Sequence, residues 1–274
     1  MLNLGCGHRF HAAWENLDIA PHDPSVRRAD VSQGIPFPDR QFDVVYHSHM
    51  IEHIRVQDVQ RFLRDCLRVM KPGGIIRVAT PDLERLCAVY LQKLTDSAAD
   101  DREWAVIELL DQLVREQSGG AMLGYLRRNP LPNEGFVLER IGEEGRELLA
   151  SIRRHAAPQG TPGDHRDCAG KRLRKRLQQG KTRLKESLIT RWYGADALQA
   201  LAIGKFRLSG EVHQWLYDRA SLASALHAAG FCEPVVRGAA ESAIANWSGY
   251  ALDTTAAGVV VKPDSMFMEA WKAQ

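Results

Sequence analysis

Residues 47–53 read HSHMIEH and combine three histidines with one glutamate, side chains that bind metal ions and move protons. Within them His49, Glu52 and His53 have the spacing H-x-x-E-H, which on a helix places two histidines to hold zinc and a glutamate to activate water. The other interpretation is a strand that ends in a loop beside a bound cofactor. The elements that surround this stretch must decide between the two.

Strands and helices alternate through the first third of the chain. Short apolar, β-branched or aromatic runs predict strands at residues 1–4, 16–19, 25–31, 42–46 and 75–79. Between the last two, apolar residues from Val56 to Met70 recur at three- and four-residue spacing, which predicts an amphipathic helix that Pro72, Gly73 and Gly74 end. This alternation is typical of a parallel sheet with helices on its faces.

The middle and the end of the chain differ from this pattern. Thr80 and Pro81 predict the N-cap and the first residue of another helix. From about residue 91 to about residue 206 we find helical periodicity without a convincing strand. Strands return at residues 231–236 and 266–271, after a helix that begins at Asp218 and ends before Gly230.

A Gly-Cys-Gly turn follows the first predicted strand directly. Gly5 and Gly7 let the backbone approach a ligand closely, although such a pair is often only a turn. Asp18 stands at the tip of the second strand, where α/β folds that bind nucleosides hold the ribose hydroxyls. The two features together favour a nucleoside-containing ligand.

Several segments, in their order along the chain, resemble a known family of enzymes. LNLGCG, NLDI, AD, IPFPDRQFDVVYHSHMIEHI, RVMKPGGIIRVATPDLERL and EVHQWLYDRASLASALHAAGF resemble class I S-adenosylmethionine-dependent methyltransferases of the type 11 group. In particular they resemble bacterial members associated with surface-polysaccharide biosynthesis. The resemblance implies a doubly wound α/β fold, with a mostly parallel, seven-stranded, Rossmann-like sheet from residues 1–90 and 206–274. Residues 91–205 would be a helical, partly basic insertion that acts as a lid or binds substrate or a partner.

The resemblance also implies a set of residues that bind S-adenosyl-L-methionine. Gly5, Cys6 and Gly7 would line the methionine part, Asp18 with Ile19 would meet the ribose, Asp30 with Val31 would meet the adenine, and His47 would lie under the transferring methyl group. One departure affects the turn, because many relatives have a third glycine where this chain continues with His8, Arg9, Phe10 and His11.

The implied reaction is displacement at a sulfonium methyl group, which leaves S-adenosyl-L-homocysteine. Holding the nucleophile and the methyl group in line lowers the activation barrier by about 7 to 11 kcal/mol. A hydroxyl nucleophile also needs a base, and the candidates are His49, His53 and His213. A catalytic His213 should face His49 across the pocket, while core packing is the alternative for His53 and for the aromatic residues near His213. Some small-molecule O-methyltransferases of this fold use acidic and histidine side chains in this region to hold magnesium, so Glu52 and His53 could be a partial metal site. No complete ligand set is found and no metal is assigned.

We therefore expect methylation of an oxygen on a sugar, glycan or similar polar small molecule. A non-catalytic cofactor-binding partner subunit would share the glycine turn and Asp18 but lack a working base. A zinc metallopeptidase would need His49 and His53 on an established helix and a third ligand elsewhere.

Composition and charge narrow the cellular setting. The net charge of +2 gives no global signature of nucleic-acid or membrane binding, and five cysteines without C-x-x-C spacing favour a reducing compartment. Without a signal-peptide pattern or a run of about 18 apolar residues, we expect a soluble cytoplasmic protein, with attachment to the inner face of a membrane left open. The sequence does not predict an oligomeric state.

Residues 153–191 concentrate positive charge, with twelve lysines and arginines against three acidic residues. Leu173, Leu177, Leu184 and Leu188 lie along one face of a predicted basic helix. Residues 171–191 could thus contact an anionic membrane, line a lid for an anionic substrate, or simply pack on the other inserted helices. Nucleic acid is disfavoured because the aromatic residues of a base-stacking surface are missing.

Overall fold

The computed structural model of the protein describes residues 1–95, 98–156, 187–194 and 196–274. Its strands are β1 Leu2–Leu4, β2 Glu15–Asp18, β3 Arg27–Arg28, β4 Phe42–Ser48, β5 Met70–Pro81, β6 Phe231–Arg237 and β7 Ser265–Lys272. They form one sheet in the order β3-β2-β1-β4-β5-β7-β6. Only β7 is antiparallel to its neighbours, so the predicted doubly wound, mostly parallel α/β sheet is confirmed.

The named helices flank this sheet or lie between β5 and β6. They are α1 Val56–Val69, α2 Leu83–Thr95, α3 Ala99–Val114, α4 Gly120–Leu126, α5 Glu134–Ala156, α6 Asp196–Arg207, α7 Arg219–Ala229 and α8 Trp247–Tyr250. A single 3₁₀ turn, Ile51–His53, joins β4 to α1. The helical character predicted for the middle of the chain is therefore present in its described part.

Helix α1 shows why the sequence folds this way locally. Its buried side chains include Val59, Phe62, Leu63 and Cys66, which recur at helical spacing and pack on the apolar strands β1 and β4. The chain then turns straight into β5 at Met70. The parallel pairing of β4 with β5 shifts register across this irregular start and becomes regular once the strand reaches its apolar run.

The helix start that was predicted at Thr80 and Pro81 is wrong. Strand β5 continues through Pro81, because it pairs with β7 along its whole second half. Thr80 is buried and its hydroxyl donates to Glu52 instead of capping a helix. Helix α2 begins at Leu83, and the Asp82 carboxylate accepts from the Arg85 N–H.

The boundaries predicted for α7 are confirmed. The Asp218 carboxylate accepts from the Ser221 N–H at 2.6 Å, and the Asp218 N–H donates to the Ser221 hydroxyl. The two residues therefore form a capping box. Gly230 ends the helix with φ of 105°, in the left-handed region that glycine adopts at little cost.

The inserted helices have an apolar core of their own, formed by Trp104, Tyr125, Leu126, Leu131, Val137 and Leu149. It is separate from the larger core between the sheet and α1 and α7. The division at residues 91–205 stays a prediction. Residues 157–186, which include Leu173, Leu177 and Leu184 of the predicted basic helix, lie outside the described residues. In the part of the chain that the structure describes, no helix is both long and apolar enough to cross a membrane.

Candidate active site at the carboxyl ends of the strands

The glycine turn stands where β1 ends. Gly5 and Gly7 have φ of 63° and 52°, left-handed values that side chains other than glycine rarely adopt. The Cys6 N–H donates to the Leu17 carbonyl at 3.1 Å and ties the turn to β2. A Cβ atom at Gly7 would meet no atom within 4 Å, so the turn leaves open space beside its backbone.

Asp18 fastens the tip of β2 to this turn. Its carboxylate accepts from the Gly7 N–H and the Ala20 N–H, each at 2.8 Å. The next residue, Ile19, is 62% exposed. The structure therefore has the predicted contact between Asp18 and the glycine turn.

A cavity of about 310 Å³ opens beside the turn. It lies where the strand order reverses between β1 and β4, the place where open α/β sheets bind ligands. Its lining includes Gly5, Cys6, Gly7, Arg9, Tyr46, Ser48, His49, Glu144, Glu147, Asp253, Lys262 and Ser265. Four of the predicted cofactor-binding residues, Asp18, Ile19, Asp30 and Val31, do not line it. Asp18 contacts the turn through the Gly7 N–H, and Asp30 accepts from Ser32 at the surface.

His49 follows the last residue of β4 and has φ of 50°, a left-handed value that costs energy for a residue with a side chain. Its N–H donates to the Ala79 carbonyl at 2.9 Å, which fixes this unusual backbone. The ring lies between two partners, with Nε2 2.7 Å from the Ser265 Oγ and Nδ1 3.3 Å from the Glu52 Oε1. Burial, with nearby cationic and histidine groups, holds the pKa of His49 well below its usual range, so the ring is neutral.

A second cavity, of about 190 Å³, lies under the inserted helices and meets the first at His49. The two share His49, Glu144 and Lys262. The second cavity also has Glu108, Gln112, Met122, Leu126, Ile141, Gly145, Leu148 and Asp264 in its lining. His49 is therefore the side chain that faces both spaces from the end of the sheet.

His47 lies elsewhere, contrary to the expected position of its side chain. Side chains alternate along a strand, so Tyr46 and Ser48 face the cavity while His47 faces α1. Its fully buried ring packs edge-on against Phe62, with centroids 5.4 Å apart, and neither ring nitrogen has a hydrogen-bond partner. Burial lowers the pKa of His47 to about 3.

His53 and His213 form a pair outside the main cavity. Their rings meet edge-on with centroids 4.7 Å apart, and the His213 N–H donates to the Gln112 carbonyl at 2.9 Å. His213 therefore packs against His53 and does not face His49 across the cavity as a catalytic His213 was expected to do. His53 ends a single 3₁₀ turn, so residues 47–53 lack the α-helix that the metallopeptidase hypothesis requires.

Behind the cavity lies the Arg77 cluster, formed by Arg77, Asp253, Glu269 and Tyr46. Arg77 is fully buried and pairs with Asp253 and Glu269, each at 2.8 Å. The Tyr46 hydroxyl donates to Asp253, which holds the cavity wall in place. Sequence analysis missed this cluster, although a charged residue inside each of two apolar strands, IIRVA and MFMEAW, was a signal of a buried pair.

Sequence analysis also missed Ser265, Lys262 and Glu144. Ser265 begins the last strand and lies opposite Pro81 in the β5–β7 pairing, which brings it to His49. Single polar residues carry no pattern of their own, and Glu144, inside α5, and Lys262, in the loop before β7, reach the site only through tertiary packing.

Comparisons with known proteins match part of the chain. Residues 2–78 match the Methyltransf_11 family, described as a methyltransferase domain. A probable S-adenosylmethionine-dependent methyltransferase of Mycolicibacterium smegmatis is 39% identical over 99 residues, which cover 30% of this chain and 38% of that protein. The ubiquinone biosynthesis O-methyltransferase of Caulobacter vibrioides is 41% identical over 70 residues, which cover 26% of this chain and 25% of that protein.

Among solved structures, an S-adenosylmethionine-dependent methyltransferase from Mesorhizobium loti is 21% identical, with 31% of this chain and 48% of that chain covered and a TM-score of 0.25. The match to the Mycolicibacterium smegmatis methyltransferase spans 38% of the length of that protein. Residues 2–78, which contain the glycine turn, Asp18 and His49, are similar to methyltransferase domains.

Proposed function

We propose that the protein transfers a methyl group from S-adenosyl-L-methionine to an oxygen of a polar small molecule, and that a sugar or glycan is the acceptor. One observation carries the proposal: His49 stands at the junction of two cavities, of which one is built on the glycine turn and the other lies under the inserted helices. The match of residues 2–78 to a methyltransferase domain supports the first half.

The residues around the first cavity fit this cofactor. Gly7 leaves open space where a Cβ would stand, so a ligand can lie directly on the backbone of the turn. Asp18 uses one lone pair of each oxygen on the backbone, and a carboxylate oxygen can accept further hydrogen bonds from ribose hydroxyls. Ile19 offers an exposed apolar surface next to it.

The protein's own contribution to the reaction is positioning and proton transfer. Bound S-adenosylmethionine supplies an electrophilic methyl group on a sulfonium centre. We assign the proton-accepting role to Nε2, the His49 ring atom that lies 2.7 Å from the Ser265 Oγ. Nε2 now contacts the Ser265 hydroxyl, and an acceptor hydroxyl that takes this place can give its proton to the neutral ring.

The second cavity supports a polar acceptor. Glu108, Gln112 and Asp264 bring polar groups to a space that Met122 and Leu148 line with apolar atoms. Such a mixed lining suits a molecule with several hydroxyl groups on a carbon frame. The similarity to an O-methyltransferase of Caulobacter vibrioides supports oxygen as the acceptor atom.

Cofactor binding is the first test. Calorimetric titration with S-adenosylhomocysteine should show binding, and Asp18→Ala should weaken it by about 1.5 to 3 kcal/mol, because a charged hydrogen-bond acceptor is lost. Asp23→Ala is the matched control, since Asp23 accepts a similar solvent-exposed bond from the Ser25 N–H five residues further along the chain. Absence of binding to the wild type, or equal losses in the two variants, would contradict the proposal.

The base is tested separately. His49→Gln should keep the affinity for S-adenosylhomocysteine and lower the rate of methyl transfer about 10²- to 10⁴-fold, which is the usual worth of a positioned base. The transfer assay uses labelled S-adenosylmethionine and a panel of sugars, nucleotide sugars and non-sugar hydroxyl compounds. Binding without transfer to any compound of the panel would favour a non-catalytic subunit.

For residues 171–191 we propose contact with an anionic membrane surface. Its support is the charge of the sequence and the leucines at helical spacing. Sedimentation with phosphatidylglycerol vesicles should retain the protein at low salt, while phosphatidylcholine vesicles should not. Equal retention by both kinds of vesicle would speak against an electrostatic contact.

A further inference from the structure

Glu52, His53 and His213 form a compact group that neither the cofactor nor the base requires, and we call it the histidine cluster. One ligand atom from each side chain lies within 4.8 Å of the other two. Glu52 and His213 are buried, with 0% and 4% of their surfaces exposed. The group joins the turn after β4 to the segment before α7, which is about 160 residues further along the chain.

Two atoms of the histidine cluster lack partners where partners are expected. The Glu52 Oε1 and the His53 Nδ1 are buried and accept or donate no hydrogen bond, although Oε1 lies 3.3 Å from the His49 Nδ1 in an unsuitable geometry. An unpaired buried polar atom costs about 1 to 3 kcal/mol, so such atoms call for an explanation. Both atoms belong to residues whose ligand atoms lie within 4.8 Å of one another, and this combination points to a ligand.

The remaining atoms of the cluster are held in place. The Glu52 Oε2 accepts from the Thr80 hydroxyl at 3.1 Å, and the Glu52 carbonyl accepts from the Gln214 N–H at 2.6 Å. The His213 backbone is fixed by its bond to Gln112. Outer contacts of this kind orient the ligands of metal sites.

The chemistry of the three side chains indicates which kind of metal ion they could bind. Two imidazole nitrogens and one carboxylate are the protein ligands of open zinc sites, whereas magnesium prefers oxygen ligands alone. With bonds of about 2.0 to 2.2 Å, tetrahedral ligand atoms lie about 3.4 Å apart. The ligand atoms of the present group lie within 4.8 Å of one another, so they would have to draw together around an ion to reach that spacing.

We propose that Glu52, His53 and His213 bind one divalent transition-metal cation, of which Zn²⁺ is the best match. The ion would fasten the turn that carries His49 to the segment before α7 and leave a fourth position open. The site does not depend on methyl transfer, and it differs from the metallopeptidase hypothesis because His213, and not His49, completes the ligand set.

The test uses the full chain after treatment with a strong chelator. Titration with Zn²⁺ in a calorimeter should show one site per chain, and Co²⁺ should give the visible absorption of a tetrahedral site with nitrogen and oxygen ligands. His213→Gln should weaken Zn²⁺ binding at least 100-fold, and Glu52→Gln should also weaken it. The exposed His227→Ala is the matched control and should bind as the wild type does.

The outcomes separate this site from the proposed function. No Zn²⁺ binding by the wild type, or equal affinity of the wild type and His213→Gln, would overturn the proposal. Should the variants fail to fold, the Co²⁺ spectrum of the wild type still decides it, since an octahedral, water-rich spectrum contradicts the assigned ligands. S-adenosylhomocysteine titration of the same chelated protein tests the cofactor site independently.

Discussion

The Arg77 cluster and the histidine cluster are both buried and polar, yet they differ in how their hydrogen-bonding groups are used. All five N–H groups of Arg77 donate to Asp253, Glu269 or the carbonyls of residues 238, 239 and 241. Its guanidinium also lies over the Trp247 ring, 4.5 Å from the centroid. In the histidine cluster Glu52 and His53 each keep an unpartnered atom.

This difference distinguishes a polar cluster that stabilises the fold from one that can bind a ligand. A buried charge whose every group is satisfied inside the chain has no capacity left for a ligand, so the Arg77 cluster can only hold segment 238–253 against the sheet. Unpartnered groups keep that capacity where other ligand groups lie within reach, as in the histidine cluster. His47 also has unpartnered nitrogens, but its ring packs on Phe62 and it belongs to no such group among the described residues.

The largest effect is expected when the Arg77 cluster is broken. Arg77→Met leaves Asp253 and Glu269 buried without their cation, which should lower the free energy of unfolding by about 3 to 5 kcal/mol. Denaturant unfolding measures it. Arg219→Ala removes an exposed pair with Glu84 and, as the control, should cost no more than about 1 kcal/mol. Equal losses would show that the Arg77 cluster is not structural.

Zinc should stabilise the protein through the histidine cluster. At a concentration of about 100 times the dissociation constant, an ion that binds only the folded state adds about 2.7 kcal/mol to the free energy of unfolding. Unfolding of the chelated wild type with and without Zn²⁺ measures this gain, and His213→Gln, if its affinity is 100-fold lower, should gain no more than about 0.4 kcal/mol. A gain that persists in His213→Gln would place the ion elsewhere.

His47→Leu should change the pH dependence of stability. Burial lowers the pKa of His47 from 6.5 to about 3 in the folded state, so the unfolded chain binds the proton first as pH falls. The contribution of the neutral ring is complete above pH 6.5 and is lost toward pH 3. The wild type should therefore lose about 2 kcal/mol more than His47→Leu between roughly pH 7.5 and pH 5.

Denaturant unfolding at several pH values measures this difference, with the exposed His155→Leu as the control. His47→Leu should also keep the affinity for S-adenosylhomocysteine, because the side chain does not line the cavity. Parallel pH profiles of the wild type and His47→Leu would contradict the assigned cause.

The smallest effect is expected at the edge of the Arg77 cluster. Tyr46→Phe removes the hydroxyl that donates to Asp253, while Arg77 still pairs with that carboxylate. The free energy of unfolding should fall by about 1 kcal/mol, at the low end for a buried acceptor that loses one partner. Tyr250→Phe, which packs on the same Trp14 ring but lies outside the cluster, is the control. A loss above that of Arg77→Met would show that the hydroxyl, not the cation, holds Asp253.

Much of the fold was predictable because its signals are local. The runs LNL and FDVVY, the spacing of Val59, Phe62 and Leu63, and the Asp218 and Gly230 caps each act within a few residues, and the structure has those elements. The helix start predicted at Thr80 and Pro81 is wrong for a non-local reason, because pairing with β7 extends β5 through both residues. Local preference lost to a ladder of backbone hydrogen bonds.

The site divides in the same way. The sequence by itself indicated that a glycine turn, Asp18 and the histidines of residues 47–53 lie at or near strand ends, because each stands within or soon after its strand in the chain. Tertiary structure alone decided that Ser265 meets His49 and that His213 meets His53. Those outcomes depend on strand pairing and on the packing of segments more than 150 residues apart, and short-range spacing carries no information about either.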